Sequence, residues 1–463
     1  MYICSIIKYD LLKMDINTLS TIAPCDGRYR EKCDELSAFF SEGALIQYRL
    51  KVEIEYFIAL CELPLPQLQG FDKTKYSELR LLYKQFQLSD AQRIKEIEKT
   101  VNHDVKAIEY LIKEKFETLH LSDYKEFIHF GLTSQDINSP ALAMILRDAQ
   151  QKIMLPALIH VLSMLEERAK TWKSVTIPAH THGQPASPTN LGKEIYVFVE
   201  RLRKQIAYFE TIPYSAKFGG ATGNFNAHHV SYPEIDWINF SNNFINNILG
   251  LSRSQTTTQI EHYDNMAAFF DNWRRINTIL LDFCRDMWSY ISMEYFKQTI
   301  KQEEVGSSAM PHKINPIDFE NAEGNLGIAN ALFAHLSEKL PISRLQRDLT
   351  DSTVTRIIGV PLAHTLIALK SLEKGINKLT VNEIKISNDL NENWAVVAEA
   401  IQTILRRENY LHPYEALKAL TRKNEKITPK TISDFIDSLK IGEELKQQLK
   451  NISPHNYTGI LTL

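Results

Sequence analysis

No Cys-x-x-Cys pair occurs in this chain of 463 residues, and its five cysteines, Cys4, Cys25, Cys33, Cys61 and Cys284, are scattered and odd in number. A thiol zinc centre and a dithiol redox motif are thereby excluded, and reduced thiols in the cytoplasm fit best. No apolar run approaches the roughly 20 residues that a bilayer-spanning helix needs, so no membrane partner is expected. Net charge is scarce too. At −3 it gives no global reason to expect nucleic acid as a partner, although local basic clusters can still bind an anion. Alternating apolar residues and Asn-Gly turns are missing, which argues against a major sheet. The first thirteen residues lack the basic start, long apolar core and small-residue cleavage site of a signal peptide. Residues 1–13 are therefore expected to be a disordered extension, with Met14 as an alternative start.

What is present is helical pattern. Leu45, Tyr48, Val52, Tyr56 and Ala59 step by three and four before Pro64 and Pro66 stop them. A second stretch runs from Tyr76 to Phe116, interrupted at residues 100–106, and others cover 151–173 and 192–212. The segment from His262 to Val305 has neither Gly nor Pro. Along it Met266, Phe269, Phe270, Trp273, Ile276, Leu280, Phe283, Met287, Tyr290 and Ile291 form the stripe of a long buried helix. Helices are predicted again over 318–340, 362–372 and 383–407. The fold class is mostly α, a bundle of long helices, and the length calls for two or three domains.

Polar residues interrupt this pattern at a few places. Gly306-Ser-Ser-Ala-Met-Pro-His-Lys-Ile-Asn-Pro316 places a flexible glycine and two helix-breaking prolines around Ser307, Ser308, Lys313 and Asn315, which reads as a mobile active-site loop within residues 304–321. Asn102, His103 and Asp104 stand together inside a helix-forming region. Thr133 or Ser134 can cap a following helix, whose free N–H groups also suit a carboxylate or phosphate. His180 and His182 lie in a loop over 178–188 held by three prolines; no cysteine or acidic cluster completes a metal site there, and an imidazole acid or base is the better reading. Arg344, Arg347 and Arg356 stand among Ser352, Thr353 and Thr355, a composition suited to phosphate, or else to a salt-bridged helix face with Asp348 and Asp351. The pair His228–His229 is assigned no chemistry. Arg28, beside Gly27, is either a solvated surface residue or an anion contact.

Taken together, these segments resemble a known family. The Gly306–Pro316 loop is similar to the shared loop of the fumarase/aspartase/argininosuccinate lyase superfamily, whose members release fumarate by β-elimination. His312, before the lysine, resembles the adenylosuccinate lyase family, where the other branches usually carry Gly, Ala or Gln. Thr181-His-Gly-Gln-Pro185, Thr133-Ser134, Asn102-His-Asp104, Gln259 and Ser352–Arg356 match that family as well. The likeness is nearest to its longer bacterial form, which has an Asp-Gly-Arg-Tyr as at Asp26–Tyr29. His180, often arginine there, and Gly131-Leu132 depart from the pattern.

The resemblance implies a three-domain lyase: an N-terminal helical domain over 14–123, a central long-helix bundle over 124–376 and a C-terminal helical domain over 377–463. It implies cleavage of adenylosuccinate to AMP and of the succinylaminoimidazole carboxamide ribotide (SAICAR) to AICAR, each with release of fumarate. Ser307 is then the base and His182 the acid. Arg28, Tyr29, Asn102, His103, Asp104, Thr133, Ser134, Gln259, Lys313, Asn315, Asn321, Arg347, Ser352, Thr353, Val354, Thr355 and Arg356 become substrate-binding residues. No metal or organic cofactor is implied, and the expected assembly is a cytoplasmic homotetramer with active sites shared between subunits. The alternatives are another fumarate-releasing lyase, such as argininosuccinate lyase, and a silent structural homologue.

Overall fold

The computed structural model describes residues 18–299, 310, 314–421 and 426–461. The extension expected over 1–13 lies outside the described residues, as do Ser307, His312 and Lys313. Helices carry most of the described chain, as the periodicity predicts, and the strands form three two-stranded sheets. Contacts divide the chain into two compact units. The first comprises residues up to Leu158, Ile206–Thr278 and Asn325–Lys370; the second comprises Ile159–Gln205, Ile279–Gly324 and residues from Ser371 onward.

The core of the first unit is organised on the helix Glu42–Cys61, which begins where the Ser41 hydroxyl accepts the Ala44 N–H at 3.1 Å. It is buried almost all round: Val52, Ile54, Tyr56, Phe57 and Leu60 are at most 1% exposed. The ring of Tyr56 meets Phe218, Phe240 and Phe244 at centroid separations of 5.5, 6.1 and 5.7 Å, tilted or edge-on as aromatic quadrupoles prefer. The stretch expected over 76–116 resolves into Tyr76–Lys84, Leu88–Val101 and Asp104–Thr118, and the predicted interruption falls between the last two.

The run free of Gly and Pro is shorter as a helix than the sequence suggests. Its helix spans Asp264–Ser292, and the chain leaves it through Glu294, at φ +64°, into a strand Phe296–Gln298 that pairs antiparallel with Leu379–Val381. Tyr295, Phe296 and Thr299 favour strand, so the absence of helix breakers was not enough to extend the helix. The apolar stripe is core as expected: Phe270, Trp273, Ile276, Leu280 and Met287 are fully buried.

In the second unit, the segment read as a loop over 178–188 is instead a β-hairpin, Thr176–Thr181 with Gln184–Asn190. Its prolines are tolerated because each strand of a two-stranded ribbon has an unpaired edge. The helix expected over 383–407 breaks at Asn393 into Glu383–Glu392, a short 3-10 turn and Ala398–Arg407. Val397, Ile401, Ile436 and Leu449 form a fully buried C-terminal core.

Candidate active site

Three pieces of backbone in the first unit build one polar cavity of about 390 Å³. The first is the junction between Leu88–Val101 and Asp104–Thr118. Asn102 ends the earlier helix in the left-handed region, at φ +50°, a conformation that asparagine tolerates better than most residues. His103 then caps the next helix, its Nδ1 accepting the Lys106 N–H at 3.2 Å. That bond places the ring proton on Nε2 and fixes the imidazole against its own helix. Asn102, His103 and Asp104 all line the cavity.

The second piece is the start of the helix Ser134–Ala149. Thr133 is its N-cap residue, and Asp136 reaches back to accept the Thr133 N–H at 2.9 Å. Ser134 and Asn138 face the cavity. The third piece is the segment around the short helix Thr350–Thr355, which contributes Arg347, Ser352, Thr353 and Arg356.

The arginine segment forms the ion pairs of its second sequence reading but not a helix face, because Arg344, Arg347 and Asp348 precede the helix Thr350–Thr355. Arg344 pairs with Asp348 at 3.3 Å and Arg347 with Asp351 at 3.5 Å, each four residues apart in sequence. Arg347 also donates to Ser352 Oγ at 2.7 Å, and its Nη1 lies 3.5 Å from Gln259 Oε1. Gln259 in turn donates to the Ala221 carbonyl at 3.2 Å. Asp351, itself buried, accepts from Tyr263 at 3.1 Å and Gln135 at 3.2 Å. Arg356 pairs with Glu42 at 2.9 Å and approaches Asp104 at 3.6 Å. Burial alone would raise the Asp104 pKa, but the Arg49 guanidinium, the Val105 N–H and Arg356 outweigh it and hold the carboxyl below its ordinary value. Two guanidinium groups beside the hydroxyls of Ser134, Ser352 and Thr353 suit a ligand bearing phosphate or carboxylate groups.

Not every expected residue lines this cavity. Thr355 lines a narrower neighbouring chamber, and Val354 is half-buried beside it in sequence. Arg28 is exposed, its guanidinium 5.9 Å from the Tyr29 ring, and neither lines the cavity. His182, Asn315 and Asn321 belong to the second unit. His182 sits at the tip of the hairpin, where His182 and Gly183 take φ of +53° and +73°, both left-handed as a tight two-residue turn requires. The side chain is exposed. Asn315 precedes the helix Ile317–Lys339, and Asn321 Oδ1 accepts from Ser371 Oγ at 2.8 Å. No group of three or more metal-ligating side chains occurs among the described residues.

Sequence reading missed Asn138, Glu98 and Leu349, which line the cavity, and Arg49, which lines the neighbouring chamber. Arg49 lies in an apolar helix and its partner Asp104 is remote in the chain, so no local pattern marks it. Asn138 follows Ser134 by one helical turn and could have been found from that spacing.

Comparison with known proteins agrees with this architecture. A family model described as Lyase matches residues 27–329, and one described as Adenylosuccinate lyase C-terminal matches 343–458. The adenylosuccinate lyase of Dictyostelium discoideum is 57% identical over 457 residues, covering 97% of this chain and 98% of that protein. That of Legionella pneumophila strain Corby is 47% identical over 451 residues, with the same coverage. A solved fumarate lyase from Mesorhizobium sp. BNC1 shares the fold at a TM-score of 0.73 and 17% identity, over 92% of this chain and 95% of that one. The mostly helical fold and the matched model define a lyase of the fumarate lyase superfamily. Within it, the chain belongs to the adenylosuccinate lyase family and is a carbon–nitrogen lyase.

Proposed function

We propose that this chain releases fumarate by β-elimination from adenylosuccinate, giving AMP, and from SAICAR, giving AICAR. The observation that supports this most is the convergence of Asn102–Asp104, Ser134 and the Arg347–Arg356 segment on one cavity, in a chain of this family. Arg347, Arg356, Ser352, Thr353 and His103 bind the anionic groups of the substrate, with Asn102, Thr133, Ser134, Gln259, Val354 and Thr355 shaping the pocket. Arg28, Tyr29, Asn315, Asn321 and Lys313 are further substrate-binding residues.

Elimination begins with removal of a proton from the carbon next to a carboxylate. That position is weakly acidic, and the carboxylate gains a second negative charge as the proton leaves, so cations and N–H donors fixed around it lower the barrier. Lys313 and Asn315 serve there. Ser307 takes the proton as an alkoxide, which needs positive surroundings and exclusion of water. His182 then protonates the departing nitrogen, so that an amine and fumarate leave. The protein's own groups carry every proton. The working form is a cytoplasmic homotetramer in which each site takes loops from more than one subunit.

Fumarate release followed spectroscopically with adenylosuccinate, SAICAR and argininosuccinate tests this reading. Turnover of both purine substrates and none of argininosuccinate is expected. Turnover of argininosuccinate alone, or of none of the three, would overturn it.

A further inference from the structure

Arg49 occupies the middle of the Glu42–Cys61 helix, among apolar neighbours, with 5% of its surface exposed. Burying a guanidinium costs several kcal/mol unless it is paired. Its Nη2 lies 2.9 Å from Asp104 Oδ2, while Nε and Nη1, fully buried, find no hydrogen-bond partner among the described residues. Arg49 lines a narrow chamber of about 40 Å³ together with Gln135 and Asn138, whose side-chain oxygens are likewise unpartnered among the described residues. The chamber shares Asp104, Asn138, Ser352 and Arg356 with the larger cavity. Arg49 itself does not line that cavity, so it acts on a ligand only through what it holds.

Asp104 is the group it holds. The same Oδ2 that Arg49 approaches at 2.9 Å is 3.6 Å from Arg356 Nη2, so the short bond goes to the buried arginine and the long one to the arginine of the cavity wall. Arg356 is half-exposed, and its Nη1 pairs with Glu42. Without Arg49, the Asp104 carboxylate would draw Arg356 into a short ion pair and take up the donors a substrate anion needs. Asp104 is also the first residue of its helix, next to Asn102 and His103. A carboxylate held from behind keeps that whole wall in place.

We infer that Arg49 is a positioning residue for substrate binding: by holding Asp104 it leaves Nη2 of Arg356, whose Nη1 pairs with Glu42, open to an anionic group of the substrate and fixes the Asn102–Asp104 wall. The inference rests on the cavity being the substrate site, and the controls separate the two. Steady-state kinetics with adenylosuccinate are measured for the full-length wild type, Arg49→Gln, Arg49→Lys, Arg356→Gln and the Arg49→Gln/Arg356→Gln double variant, with thermal melts to establish folding.

Loss of a buried charged hydrogen bond corresponds to about a 10-fold to 100-fold rise in KM for Arg49→Gln, with kcat within about 3-fold of wild type. Arg49→Lys, which keeps the charge but not the planar fork, falls between the two. The double variant should show less than the product of the single effects, because both act through Arg356. A merely structural arginine would lower the melting temperature and leave KM alone. If Arg356→Gln leaves KM unchanged, the cavity reading fails and the inference with it. If Arg356→Gln raises KM while folded Arg49→Gln does not, the inference alone is overturned; a double variant showing the full product overturns the route through Arg356. Should Arg49→Gln not fold, folded Arg49→Lys decides: a KM raised by about 3-fold or more supports the role, and an unchanged KM overturns it.

Discussion

His228 was assigned no chemistry, and its burial gives it a thermodynamic role instead. It is completely enclosed, with Nε2 3.0 Å from the Tyr56 hydroxyl. Tyr56 donates its proton to the Phe130 carbonyl at 2.7 Å, so it accepts from His228 and places that ring's proton on Nε2. Burial pushes the His228 pKa down to about 4; Asp136 opposes the shift and Lys217 adds to it. The unfolded chain protonates this histidine near its ordinary value of about 6.5, while the folded one stays neutral until about 4. The unfolded state therefore binds more protons between those limits. Stability from this residue is full above the upper limit and is lost by about 1.4 kcal/mol per pH unit as pH falls toward the lower one. Denaturant melts of the wild type and His228→Gln at pH 6.5 and 5 check this: the wild type should lose about 1.6 kcal/mol more than the variant. Equal losses would remove His228 from the acid response. Gly131 belongs to the same packing, since at φ +69° a Cβ would fall 2.8 Å from the His228 ring.

At the scale of elements, the helix that carries Ser134 is held in place by charge buried beneath its first turn. Asp136 and Lys217 are both fully buried, 2.7 Å apart. Asp136 further accepts the Gly219 N–H at 2.9 Å and the Gly220 N–H at 3.1 Å, besides its bond from Thr133. Lys217→Met would leave a buried carboxylate without its cation and should cost about 3–5 kcal/mol, read as a lower melting midpoint. An unchanged midpoint would show that the N–H groups alone hold Asp136. Helices such as Asp264–Ser292 were legible in the sequence because long apolar stripes report burial directly. The Asn102–Asp104 junction was legible because polar residues broke such a stripe. The hairpin was not: Pro178, Pro185 and Pro188 read as loop, and nothing local reveals that each strand keeps a free edge. Arg49 and the Asp136–Lys217 pair were hidden for a different reason, since each becomes meaningful only through a partner far away in the chain.

For the whole molecule, the proposed sharing of sites has an arithmetic consequence. His182 belongs to one compact unit and the polar cavity to the other, and the proposed tetramer assembles each site from loops of different subunits. Ser307→Ala should retain binding while kcat falls by at least about 1,000-fold, and His182→Ala should fall comparably, because each removes one of the two proton transfers. If Ser307 and His182 come from different subunits, equal mixing of the two inactive proteins followed by subunit exchange creates intact sites. A site works when its Ser307 comes from a His182→Ala chain and its His182 from a Ser307→Ala chain. Each condition is met half the time, so about a quarter of wild-type activity should return. If one subunit supplied both groups, every site would keep one lesion and nothing would return. Native mass spectrometry on the mixture distinguishes the cases: hybrids present with activity near a quarter support shared sites, and hybrids present without activity place Ser307 and His182 of each site in the same chain.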